Sequence, residues 1–144
     1  MPEYSKIKII DRIIDANINR AKEGLRVCEE ISRFILTSRS LTVQLKKCRH
    51  KVDVFLKKLS PSNTLLRQRD SRKDIGFNIY VNELKRKNYR DILFANLQRV
   101  KESVRVLEEF SKLLNVKSAV RFKNIRYSLY EIEKRSGRFL HKLS

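Results

Sequence analysis

Seven side chains carry most of the chemistry this sequence offers: Asn17, Arg20, Asn96, Arg99, Arg69, Asp70 and Asp74. Asn17 and Asn96 fall in the middle of helical stripes that are otherwise apolar, and a buried amide costs a few kcal/mol unless it is hydrogen-bonded. Two accounts fit them. The amides bond each other or a helix terminus and fix the register of a bundle, or they line a cleft and bond a ligand. Arg20 and Arg99 follow one turn later at the edge of the stripe, with Glu23, Glu30, Glu102 and Glu109 along the adjoining edge. Spacings of three and four allow the ion pairs Arg20–Glu23 and Arg26–Glu30 and their copies. Two guanidinium groups beside polar clefts suit a phosphate equally well. Asp70 and Asp74 stand among cations in residues 69–76, RDSRKDIG. Carboxylates there suit turn formation, Mg²⁺ ligation through oxygen, or a hydrogen bond from a ligand amino group. His50 and His141 have no nucleophile or ligand at informative spacing and read as surface residues. The sequence has no P-loop, GxGxxG, HExxH or Ser/His/Asp signature.

These residues come in pairs because the chain says one thing twice. Residues 16–35, ANINRAKEGLRVCEEISRFI, return as residues 95–114, ANLQRVKESVRVLEEFSKLL. Asn17, Arg20, Lys22, Glu23, Arg26, Glu29 and Glu30 reappear as Asn96, Arg99, Lys101, Glu102, Arg105, Glu108 and Glu109. A weaker echo matches LKKCRHKV with FKNIRYSL, so that Arg49 answers Arg126. Two copies of a helical hairpin predict a pseudo-twofold bundle, since a solenoid needs about three or more repeats.

The elements that must position these residues are long helices. Ser5 is placed to cap a first helix running to about Leu36, with Ile10, Ile13, Ile14, Ala21, Leu25, Cys28, Ile31, Phe34 and Ile35 on its apolar face. Lys22, Arg26, Glu29 and Arg33 lie outside that face. Gly24 and Ser103 occupy matching mid-face positions, where they keep a cleft open or let helices cross closely. Ser40 is a candidate cap for helix two, whose seam Leu41, Leu45, Cys48, Val52, Phe55 and Leu59 stops at Ser60-Pro61. Leu65 and Leu66 pin the irregular middle, and residues 75–81 read as an extended crossover with a helical turn near Glu83. Asn88, with Asp91 three residues on, starts helix three, whose face runs from Ile92 to Leu114; helix four begins near Lys117. The expectation is all-α: an antiparallel four-helix bundle in one domain, 1–144, with repeat one at 7–59, a central loop at 60–87 and repeat two at 88–143.

The chain has 144 residues, a formal net charge of +18, and 41% apolar and 35% charged residues. This composition suits a folded domain rather than disorder. The charge attracts nucleic acid, phosphorylated metabolites or an acidic partner. Lys and Arg are spread along the whole chain, which weakens the nucleic-acid reading. No apolar run approaches the ~18 residues of a membrane span, and residues 1–11 lack a signal-peptide pattern. Cys28 and Cys48 have no CxxC or His companion and read as buried thiols, so the expected location is cytoplasmic.

The segments RIIDANINRAKEGLRVCEEISRF, RDSRKDIG, ANLQRVKESVRVLEEFSKLL and FKNIRYSLYEIEK, in that order, resemble a small helical family of thiamine biosynthesis. That family occurs as an extra N-terminal domain of some bacterial thiamine phosphate synthases (thiamine-phosphate pyrophosphorylases) and also free-standing. The resemblance runs from about Arg12 to Lys134. Where the family loop commonly reads RDTxxDVG, this chain keeps the hydroxyl with Ser71 and the apolar character with Ile75. The resemblance implies a role with the pyrimidine half of thiamine, since the family has been proposed as an alternative phosphomethylpyrimidine kinase. It further implies that Asn17 and Asn96 bond a heterocycle edge while Arg20, Arg99 and Arg69 hold phosphate oxygens. Asp70 and Asp74, on a loop over the cleft, would be the catalytic carboxylates, binding Mg²⁺ or the exocyclic amine, with ATP as phosphate donor. The expected partners are a phosphorylated pyrimidine metabolite and a thiamine phosphate synthase. The alternatives are a basic nucleic-acid-binding bundle and a non-catalytic docking module for the synthase.

Overall fold

The computed structural model describes residues 2–59, 64–78 and 84–144, which form helices and turns and no strand. Five α-helices follow one another: α1 at Glu3–Glu30, α2 at Arg39–Leu59, α3 at Thr64–Gln68, α4 at Tyr89–Ser111 and α5 at Val116–Ser136. The four long ones contact each other in a closed ring, α1 and α5 each against α2 and α4. Their apolar stripes meet in one core that includes Leu25, Leu45, Leu97, Val104, Phe122 and Leu129, with the Phe55 and Phe122 rings edge to face at 5.2 Å. The α1–α4 contact is the most extensive. Cys28 Sγ approaches Leu93 O at 3.8 Å, while four residues earlier Gly24 faces Asn96 and Val100. Advancing along α1 therefore means retreating along α4, and the two helices run antiparallel.

Gly24 makes that crossing close. A Cβ on it would lie 2.5 Å from Val100 Cγ2 and 3.4 Å from the Asn96 carbonyl oxygen. Between the two expected roles for this position, close approach is the one the packing requires.

Helix three starts as its sequence predicts, with the Asn88 side chain accepting from Asp91 N–H at 3.0 Å. Other boundaries differ. Pro2, not Ser5, precedes α1, because the helix begins earlier and uses no side-chain cap. Ser38, not Ser40, caps α2 through Leu41 N–H, and Ser40 Oγ instead accepts from Arg135. The run to Ile35 closes as a π turn, Ile31–Ile35, with Leu36 N–H reaching back to Ile31 O. That wider turn rotates the stripe and leaves Phe34 outside, 63% exposed. Leu114 is likewise exposed, since α4 ends at Ser111. In the middle, Leu65 is buried but Leu66 is not. Residues 75–77 form a 3₁₀ turn rather than extended chain. The Leu59 side chain, the Ser60-Pro61 stop, the rest of the supposed crossover at 79–81 and the turn at Glu83 lie outside the described residues.

Candidate functional site

The duplicated polar residues converge. Asn17, Arg20, Glu23 and Gly24 of α1 face Asn96, Arg99, Glu102 and Ser103 of α4 across a cleft of about 680 Å³, whose wall also includes Gly76 of the central segment. Each asparagine spends its amide nitrogen on its own helix: Asn17 Nδ2 donates to Ile13 O and Asn96 Nδ2 to Ile92 O, both at 2.8 Å. The two amides do not bond each other. Among the described residues neither Oδ1 has a partner, so each asparagine presents a hydrogen-bond acceptor. Arg20 and Arg99 likewise make no ion pair or hydrogen bond among the described residues, and the expected Arg20–Glu23 pair is not formed. Arg26–Glu30 and its copy Arg105–Glu109 do form, at 3.5 and 3.3 Å.

A second cavity of about 340 Å³ adjoins the first, sharing Arg20 and Glu23 in its wall and bounded by Arg12, Asp15, Arg69, Asp70, Ser71 and Asp74. Here the Arg69 guanidinium is committed to Asp15 through two bonds of 2.8 Å, which hold the central segment against α1. Its Asp15 hydrogen bonds, partly offset by burial, raise the Arg69 pKa. Arg69 therefore organises the cavity before it can serve a ligand. Asp70 and Asp74 are helix caps: Asp70 Oδ1 accepts from Lys73 N–H at 3.3 Å and Asp74 Oδ1 from Gly76 N–H at 2.8 Å. Among the described residues each has a second carboxylate oxygen without a hydrogen bond. No group of three or more His, Cys, Asp or Glu positioned for a metal occurs among the described residues.

Each hairpin is locked by a duplicated pair. Arg49 donates to Glu29 at 2.6 and 3.3 Å, and Arg126 to Glu108 at 2.8 and 3.4 Å. Glu29 is therefore buried, not outside the face as its helical angle suggests. Lys22–Asp53 and Lys101–Glu133, both at 2.7 Å, add a second tie per copy. The cations of these ties are spent on structure. Arg20 and Arg99 enter no such tie among the described residues.

Residues 12–135 match the model of the ThiD2 family. The chain belongs to the ThiD2 family. It is 40% identical over 127 residues to a thiamine-phosphate synthase of Synechocystis sp., covering 86% of this chain and 35% of that protein. The corresponding figures are 38% over 127 residues, 88% and 35% for a thiamine-phosphate synthase of Nostoc sp., and 38% over 120 residues, 83% and 32% for one of Rhodopirellula baltica. The chain thus spans about a third of the length of these relatives. No solved structure matches it.

Within this family member, sequence reasoning missed Asp15 and the Glu29 and Glu108 pairings. Arg49 and Arg126 were signals for the latter, because an arginine repeated beside an apolar seam needs a repeated acid. Asp15 had no such signal, since its counterpart in the second copy is Phe94.

Proposed function

We propose that this chain binds hydroxymethylpyrimidine phosphate in the α1–α4 cleft and serves thiamine biosynthesis beside a thiamine phosphate synthase. The observation that carries this reading is the coincidence, in one cleft, of Asn17 and Asn96 acceptors with Arg20 and Arg99, all without a partner among the described residues. An aminopyrimidine offers an exocyclic N–H to an Asn Oδ1, and its phosphate offers oxygens to a guanidinium fork. The family membership and the thiamine-phosphate synthase relatives supply the choice of pyrimidine and partner.

The same arrangement suits phosphorylation of the bound monophosphate. A phosphate oxygen of the pyrimidine attacks the γ-phosphorus of ATP, the bond from γ-phosphorus to the β-bridging oxygen breaks, and ADP leaves with the electron pair. Phosphoryl transfer of this kind asks the protein mainly for positioning and charge neutralisation, which the two cleft arginines supply. The carboxylates fit Mg²⁺ only as an ion borne by phosphates, held by one or two acids plus ligand oxygens. Glu23 and Glu102 in the cleft, and the free oxygens of Asp70 and Asp74 beside it, are the available donors. Such an ion would offset charge between the phosphate groups.

Calorimetric titration of the folded protein with hydroxymethylpyrimidine phosphate, with and without Mg-ATP, tests the reading, with diphosphate product assayed in the same mixtures. Binding with product is the expected result. Binding without product leaves a carrier, and no binding overturns the proposal.

A further inference from the structure

Four polar groups of the cleft, Asn17, Arg20, Asn96 and Arg99, stand in a definite order along its length. The antiparallel contacts place Gly24 beside Asn96 and Val100, and Cys28 beside Leu93. Residues on α1 and α4 whose numbers sum to about 122 are therefore level with each other. On that register Asn96 stands level with residue 25 or 26 of α1, so Asn17 and Asn96 are roughly 12 Å apart along the helix axes at about 1.5 Å per residue. Arg99 stands level with residue 23, only roughly 4 Å from Arg20 on the same scale. The arginines occupy the centre of the cleft and the asparagines its two ends. A single aminopyrimidine phosphate reaches one asparagine and the central arginines. The opposite acceptor is left over.

Resting on the function proposed above, we infer that each repeat binds its own phosphorylated amino-heterocycle, the two lying tail to tail with their phosphates between Arg20 and Arg99. The first repeat takes the pyrimidine phosphate at Asn17. The second takes a nucleotide whose base carries an exocyclic amino group, with that amino group on Asn96 Oδ1. The halves differ in a way that favours this order. The Asp15–Arg69 pair brings the central segment against the first repeat, where the smaller cavity adjoins the cleft at Arg20 and Glu23. At the Asn96 side Phe94 stands in place of Asp15 and has no carboxylate to make such a tie. This orientation aims an oxygen of the pyrimidine phosphate at the terminal phosphorus of the nucleotide, the approach that the transfer described above requires. It accounts for nucleotide use in a chain without a phosphate-binding glycine loop, because the duplication itself supplies the second site.

The test is calorimetry on the full chain with hydroxymethylpyrimidine phosphate, ADP and IDP, in wild type, Asn17→Ala and Asn96→Ala. Neither substitution removes a bond between helices, so both variants should fold. Wild type should bind one pyrimidine phosphate and one ADP together, with ADP at least tenfold tighter than IDP, whose carbonyl cannot donate to Asn96. Asn17→Ala should weaken the pyrimidine tenfold or more and spare ADP. Asn96→Ala should weaken ADP and abolish its preference over IDP. Equal affinity for ADP and IDP, loss of both ligands from one asparagine, the reverse assignment, or two pyrimidine phosphates per chain would overturn the inference. Tighter, steeply salt-dependent binding of a single-stranded oligonucleotide than of ADP would overturn it in favour of nucleic acid. Pyrimidine binding with no Asn96-dependent nucleotide site would sink this inference and leave the proposed function standing. Absence of pyrimidine binding would remove both.

Discussion

At the scale of residues, the molecule separates charged groups that hold it together from charged groups it leaves open. Glu29 and Glu108 are buried carboxylates, each gripped by an arginine from the neighbouring helix of its own hairpin. Removing one partner of such a pair strands a buried charge, at a cost of about 3 kcal/mol. Arg49→Ala and Arg126→Ala should each lose about that much in denaturant unfolding, and a loss near zero would show that water satisfies the acid. Burial alone raises the Glu108 pKa, but hydrogen bonds and charge from Arg126 and then Arg105 outweigh it, so the net direction is below the ordinary 4.5. The unfolded chain then takes up this proton at higher pH than the folded one. The stabilisation is complete above about pH 4.5 and drains as pH falls further. Between about pH 5 and pH 3 the Tm of Glu108→Gln should fall less steeply than that of wild type. Parallel profiles would contradict the assignment.

At the scale of elements, the α1–α4 crossing sets the cleft. A methyl group on Gly24 meets Val100 Cγ2 at 2.5 Å, so Gly24→Ala should cost about 1–3 kcal/mol through overpacking. Val100→Ala added to it should restore part of the loss in thermal unfolding. A double variant less stable than Gly24→Ala would mean that some other contact limits the approach. The central segment is held more lightly, through buried Leu65 and the Asp15–Arg69 pair, while Ile75 and Phe77 are 95% and 80% exposed beside cleft-lining Gly76. Asp15→Ala should therefore speed limited proteolysis within residues 69–78 while leaving global Tm nearly unchanged; an unaltered cleavage rate would show that the pair does not hold the segment. Helix periodicity made the long helices legible, and Asn88 announced the start of α4. The π turn after Glu30 was not legible, because ISRFI continues an α-helical stripe as sequence and only the wider hydrogen bonding turns Phe34 outward. The caps at Asp70 and Asp74 appeared as turn-forming residue types, without a partner that sequence could name.

At the scale of the whole molecule, duplication explains what could be read and what could not. Whatever occurs twice stood out: Asn17 with Asn96, Arg20 with Arg99, and Arg49 with Arg126. What breaks the symmetry, Asp15 against Phe94, was invisible until the central segment was placed. The charge of +18 also divides. Lys22, Lys101, Arg49 and Arg126 tie helices together, whereas Arg20 and Arg99 line the cleft and pair with no other described residue. Among the described residues no helix is long and apolar enough to cross a membrane. The most direct test of the central claim is to titrate hydroxymethylpyrimidine phosphate into wild type and Arg20→Gln and compare affinities alongside Tm. Arg20 ties nothing together among the described residues, so its loss should leave Tm within about 2 °C, in line with ordinary surface substitutions. Affinity should fall tenfold or more, since a charge-assisted bond is worth about 1.5–3 kcal/mol. Unchanged affinity in the folded variant would contradict the cleft as the binding site.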